Sequence, residues 1–273
     1  MWNLIKMDFY RLFTSKTIKV GAIMAFLVSV GYMFLSLGIV ELTKLAYDQS
    51  VEAAMGLEMF LSQAAWLGGV NFADIVLNGT SAFSLFIGCM IAANFMGSEQ
   101  SCGYAKNFAG QLPDKGYMVV SKFVVTSIAQ VIVLLIYAAV SAVSAELLFG
   151  KYINGYAIST LLLALGLRLM LYLAVNAIII FLCTLTKSHS IAMVAGCIFG
   201  IGVTKFAYLA AGMLLSTLKI NFSIIDYMPD GINGQLAMDT AGSLAVKAIV
   251  VSLAFIAVFL TSNYFVVRSR DVK

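Results

Sequence analysis

The stretch Ser98–Ser121, SEQSCGYAKNFAGQLPDKGYMVVS, lies between two long apolar runs and holds the side chains best suited to gripping a soluble partner. Tyr104, Phe108 and Leu112 fall at i, i+4 and i+8, so a helix over 104–112 would carry them as one apolar ridge. Lys106, Asn107 and Gln111 lie beside or opposite that ridge, and Glu99 precedes it. Gly103 can open the helix. Pro113 closes it, because proline disfavours helix at the residue before it. Asp114-Lys115-Gly116 then reads as a turn. A short helix with an aromatic ridge, held away from a membrane, has the form of an insert for a partner's groove. On spacing alone, a solvated loop between two spans is the simpler reading.

A second kind of chemistry belongs to Arg168 and Lys205, which interrupt apolar runs. Counted from the outer ends of their runs, each lies about 15 Å below the outer surface. A charge in hydrocarbon costs at least a few kcal/mol, so both must face protein or water. They are either structural charges, satisfied by Asp74, Glu146, Asp226 or backbone carbonyls, or a cationic lining for the path of an amphipathic or acidic substrate. Gly196-x-x-x-Gly200, with Gly202 next, is a third pattern. Small residues four apart let helices approach closely, within a chain or between subunits.

Other chemistries are absent from the sequence. There is no G-x-x-x-x-G-K-[ST], so the chain cannot hydrolyse ATP by a P-loop. No G-x-S-x-G, H-E-x-x-H or C-x-x-C occurs, and His189 is the only histidine. Cys89, Cys102, Cys183 and Cys197 lie at no metal-site spacing and read as reduced packing residues. The expectation is therefore no enzyme, no metal and no cofactor on this chain, and no basic tract for nucleic acid.

The elements that must position these groups are set by composition. Hydrophobic residues make up 62% of the chain and charged residues 11%, against roughly 25% charged in soluble domains. This is the composition of a polytopic, all-α membrane protein forming a single domain over 1–273. Six runs are long enough to cross about 30 Å of hydrocarbon: 18–40, 75–96, 123–148, 158–185, 191–215 and 244–267. A shorter run, 57–70, carries Glu58 and Gln63 and reads as an external, partly interfacial helix. Ahead of the first run, residues 1–17 form an amphipathic start, with Trp2, Ile5, Phe9 and Leu12 on one face. The run behind them is too long for a signal peptide.

Charge sets the expected orientation. With both termini inside, the cytosolic side gathers Lys6, Arg11, Lys16, Lys19, Lys106, Lys115, Lys122, Lys187, Arg268, Arg270 and Lys273. The outside holds only Lys44, Lys151, Lys219 and Lys247, together with acids that include Glu41, Asp48, Asp226 and Asp230. That asymmetry follows the positive-inside rule, and a seventh span would spoil it. The external segment 216–243 contains Pro229-Asp230-Gly231, a strong turn signal, between apolar stretches. A pair of short helices dipping back into the outer leaflet fits it.

Glu99-x-x-x-Gly103-x-x-Lys106-Asn107, then Pro113, a basic residue and a lysine at the next helix start, resembles the cytoplasmic loop of ABC-2 type transporter permeases. The small six-span bacterial permeases of bacitracin and lantibiotic export and immunity systems are the nearest in style. The family often has Ser-Arg soon after the proline, where this chain has Asp114-Lys115. The resemblance implies an N-terminal elbow helix, a re-entrant hairpin before the last span, and a coupling helix in the 98–121 loop that contacts a separate ATPase. Glu99, Gly103, Tyr104, Lys106, Asn107, Phe108, Leu112 and Pro113 would be its coupling residues. ATP and Mg would reside on that partner. The resemblance also implies a second permease chain, identical or different, with the first and fifth spans at the interface and hence Gly196 and Gly200 there.

The expected function is thus the membrane subunit of an ATP-driven exporter in a bacterial cytoplasmic membrane. Its substrate would be an amphipathic peptide or a lipid-like molecule. The alternatives are an ATP-independent carrier or channel, which should show inverted repeats or midplane helix breaks, and a sensor or scaffold that uses the same loop without transport.

Overall fold

A computed structural model describes residues 2–49, 77, 83–101, 114–149, 158–217, 223–236 and 242–269. All regular structure among these residues is helical. In chain order the helices are α1 (Trp2–Thr14), α2 (Lys16–Gln49), α3 (Phe83–Ser101), α4 (Tyr117–Phe149), α5 (Ile158–Thr186), α6 (His189–Ile201), α7 (Thr204–Thr217), a 3₁₀ turn (Ile224–Tyr227), α8 (Pro229–Asn233) and α9 (Gly242–Ser269). Segments of α2, α4, α5 and α9 are long and apolar enough to cross a membrane, and α6 with α7 makes a fifth if the bent pair is one span. The chain is an all-helical, multi-pass membrane protein. The apolar part of α3, Phe83–Ser98, is shorter than a full crossing, and the residues 78–82 before it lie outside the described residues.

The first expected span runs on to Gln49 instead of ending at Val40. Residues 41–49 contain no glycine or proline to stop it. Its start is set by Ser15, whose hydroxyl donates to the Leu12 carbonyl at 2.6 Å, while Thr14 donates to that of Tyr10 at 2.8 Å. The Ser15 bond serves one of the four carbonyls at the end of α1 that lack a partner within the helix.

The fifth run, expected as one helix over 191–215, is broken. Gly202 has φ 84°, a left-handed conformation that costs glycine little. The Gly202 and Val203 amides both donate to the Ile198 carbonyl, closing α6, and α7 leaves at 74° to it. No residue of α7 is buried, and Phe206, Leu209, Met213 and Leu214 are exposed.

Helix α3 is the hub and touches α2, α4, α5 and α6. On one side Leu85, Cys89, Ala92 and Met96 pack with Tyr172, Val175 and Ile179 of α5 and Ala192 of α6. On the other, Ile87, Ile91 and Phe95 meet Leu12 of α1, Ile18 and Ala25 of α2, and Val125, Ala129 and Val133 of α4. Three side-chain amides bond between helices. Asn94 donates to the Thr17 hydroxyl at 3.3 Å, Gln130 to the Ser84 carbonyl at 3.3 Å, and Asn176 to the Thr126 hydroxyl at 3.0 Å. Helix α9 lies chiefly on α5, where the Thr184 hydroxyl meets the Asn263 side-chain oxygen at 2.5 Å.

The amphipathic start is a helix. Leu4, Asp8 and Leu12 are buried against the protein, whereas Trp2 and Phe9 of the apolar stripe are exposed. Asp8 belongs to the packed face because α4 supplies it with a hydrogen-bond donor.

Candidate functional site

Two places gather polar groups. The first is the pair of stumps of the 98–121 loop. Residues 102–113, which hold Gly103, Tyr104, Lys106, Asn107, Phe108, Leu112 and Pro113, lie outside the described residues, as does the side chain of Glu99. The ends of the loop are described, and three ties from two helices hold them. At the first end, Arg11 of α1 donates to the Ser98 hydroxyl at 3.4 Å, and its guanidinium lies 4.8 Å from the centre of the Phe95 ring. At the second, Ser121 in the first turns of α4 donates to the Asp8 carboxylate at 2.6 Å. Both partners are buried, and Lys122 beside them is 5% exposed rather than in solvent.

The third anchor is Tyr264 of α9. Its hydroxyl donates to Asp114, and the second Asp114 oxygen accepts the Gly116 amide at 2.9 Å. This pattern is an Asx turn. It leads into α4 through amide bonds from Tyr117 and Met118 to the Asp114 and Lys115 carbonyls. The Tyr264 ring lies so close to Gly116 that a Cβ there would sit 2.2 Å from it. The Tyr264 hydroxyl, then the Gly116 amide, hold the Asp114 carboxyl below its usual range, and Arg268 adds a smaller pull.

The second place is a cavity of about 170 Å³ where α3, α5, α6, α7 and α8 converge. Arg168, Lys205, Asp230 and Asn233 line it, with Leu85, Phe199 and the Gly200–Gly202 backbone completing the wall. Arg168 and Lys205, singled out because each is a charge in an apolar run, are therefore brought to one site. Arg168 is 1% exposed and donates to the Leu77 carbonyl, the backbone-acceptor form of the structural reading. Its wall position means that this does not exclude a second role.

Asp230, counted among the acids of the external side, is 2% exposed. Pro229 starts α8, whose five residues are all buried, and α8 packs on α5 and α9 through Ile232 beside Leu167, Leu171 and Ala248. The 3₁₀ turn and α8 are thus the pair of short helices expected in 216–243. Both Asp230 oxygens are engaged, one by the Thr204 hydroxyl and the other by the Tyr208 hydroxyl at 3.1 Å. Thr204 and Tyr208 are four apart on α7, and sequence gave no reason to pair them with Asp230. Near the same segment, Asp226 accepts from Gln235 at 2.7 Å, and this bond, then one from Ser223, keeps its carboxyl low.

Gly196 and Gly200 face α3 of their own chain. A Cβ at Gly196 would lie 3.1 Å from that of Cys89, and one at Gly200 would lie 2.5 Å from the Phe86 Cα. The close approach that these residues permit is made inside the subunit. The exposed apolar side of α6 consists of Ile191, Val194, Ile198 and Ile201.

No protein-family model matches the chain, and no curated protein matches it.

Proposed function

We propose that this chain is the permease subunit of an ATP-driven ABC exporter, one that moves an amphipathic peptide or lipid-like substrate out of a bacterial cytoplasmic membrane. The observation that carries the reading is the anchoring of the 98–121 loop. Its two ends are fastened to the N-terminal helix through Arg11–Ser98 and Asp8–Ser121, and to the last helix through Tyr264–Asp114. A plain connector needs no such ties. A loop that must convert a push from a soluble motor into movement of spans does need them, because force passes only through rigid contacts.

In this reading α1 lies along the inner surface with Trp2 and Phe9 in the headgroup region, and both termini are cytosolic. The loop presents Tyr104, Phe108 and Leu112 to a separate ATPase, which holds ATP and Mg. ATPase closure moves the loop, and the ties carry that movement to α1, α3, α4 and α9. Two permease chains make the path. In the same reading, the polar groups around the break at Gly202 and the buried α8 belong to the outer half of the membrane, where a substrate's polar end has to travel.

The reading is tested by affinity purification of the full chain from its native membrane. A P-loop ATPase should accompany it at near-equal stoichiometry. A chain that purifies intact and alone under conditions that preserve other transporter complexes would remove the ABC assignment.

A further inference from the structure

We propose that the cavity bounded by Arg168, Lys205 and Asn233 is a binding site for a phosphate-class oxyanion borne on an amphiphile, with the anion inside and the apolar tail along the exposed face of α7.

Charge points to an anion. Among the described residues, two cationic residues and one acid line the cavity, and Thr204 and Tyr208 donate to the two oxygens of that acid. The wall therefore keeps a net positive character. Arginine and lysine are the usual partners of phosphate, and their attraction grows where water is excluded. With the Asp230 charge counted in full, the described lining still carries one more positive than negative charge.

Size points to a fragment of a ligand. Sites for whole drug-sized molecules span about 300–1,000 Å³, and this cavity has about 170 Å³. It fits a headgroup and leaves the rest of the molecule outside. What lies outside is apolar. Lys205 sits in the first turn of α7, and Phe206, Leu209 and Met213 on the same helix are 74%, 52% and 69% exposed. The 74° break at Gly202 produces this arrangement, since a straight fifth helix would carry Lys205 and its apolar neighbours along the axis of α6, away from α8.

The inference rests on the proposed function only for what happens to the ligand after binding. Binding itself is tested on the purified chain alone, without ATPase, so it can fail or succeed independently of the exporter reading. The protein is held in a neutral maltoside detergent, and its melting temperature is followed against dioctanoyl phosphatidylglycerol, uncharged dioctanoylglycerol and inorganic phosphate. Saturable stabilisation by the anionic lipid is expected, with at least tenfold weaker apparent affinity for free phosphate and no saturable response to dioctanoylglycerol. Lys205→Gln should weaken lipid binding about tenfold or more, the effect of losing one charged hydrogen bond. Lys205 is only partly buried, so this variant should keep the unliganded melting temperature. Asp230→Asn, which removes the one acid, should bind the lipid as well as or more tightly than wild type.

Equal lipid affinity in wild type and Lys205→Gln overturns the site. An equal response to dioctanoylglycerol overturns the role of the anion. Free phosphate binding as tightly as the lipid overturns the role of the tail. If Lys205→Gln lowers the unliganded melting temperature, Lys205→Arg decides. It keeps the charge and should restore both stability and lipid affinity, and restored stability without restored affinity overturns the proposal.

Discussion

The Ser121 hydroxyl donates to the Asp8 carboxylate at 2.6 Å, joining the N-terminal helix to the foot of α4 across 113 residues of chain. Both groups are buried, so neither has water as a substitute partner. Asp8→Ala leaves a buried hydroxyl unsatisfied and should destabilise the protein by about 1–3 kcal/mol. Asp8→Asn keeps an acceptor and should cost less. Thermal unfolding in detergent checks both. A larger loss for Asn than for Ala would show that the carboxylate is not held by this bond.

The tie between Asp114 and Tyr264 should depend on pH in a defined direction. The folded-state carboxyl is held below its usual range, so its contribution is complete above the unfolded value near pH 4 and is lost as pH falls through the lower folded value. Tyr264→Phe removes the main cause. Wild type should therefore melt above Tyr264→Phe by a constant margin from pH 5 to 7, and the margin should shrink in acid. A margin that widens below pH 4 would contradict the assignment.

Gly200→Leu should fail through its own subunit. The new side chain would start 2.5 Å from the Phe86 Cα, and backbone cannot yield as a flexible side chain can. Overpacking of this kind costs about 1–3 kcal/mol or more. Gly212→Leu, with nothing within 4 Å, is the control and should leave stability unchanged. If Gly200→Leu keeps the yield and melting temperature of wild type yet dissociates a dimer, the residue serves a subunit contact after all.

Single-cysteine labelling tests the orientation. A cysteine at Lys115 or Lys273 should react only from the cytosol, and one at Asp48 only from outside. A cysteine at Asp230 should react poorly from both sides, because the position is 2% exposed. Labelling of position 115 from outside would invert the arrangement.

What the sequence made legible was what a local pattern specifies. Apolar length marked the long helices. Pro229-Asp230-Gly231 marked a change of direction, which falls at Met228, and these three residues open α8. Less legible were features set by partners distant in sequence. Asp8 lies four residues from both Leu4 and Leu12, so the spacing did hold it on the packed face, but the Ser121 hydroxyl that helps make a carboxylate tolerable there is distant in sequence. Gly202 follows the small-residue pair Gly196 and Gly200 in sequence, but its left-handed backbone ends α6. Arg168 and Lys205 were legible as unusual, but their convergence depends on that break.

The central claim is that the 98–121 loop drives the spans through a docked ATPase, and Phe108 is the residue to test. It is the middle of the Tyr104–Phe108–Leu112 ridge. Loss of a central aromatic anchor costs an interface about 2 kcal/mol or more, roughly thirty-fold in affinity. Charge changes at Glu99 or Lys106 should have milder effects, because rim charges are screened. The measurement is a pull-down of the partner ATPase by wild type and Phe108→Asp, with export followed in parallel. The account predicts a normally inserted Phe108→Asp chain that loses its ATPase, or keeps it without substrate-stimulated hydrolysis. A variant that binds the ATPase and exports like wild type would contradict it.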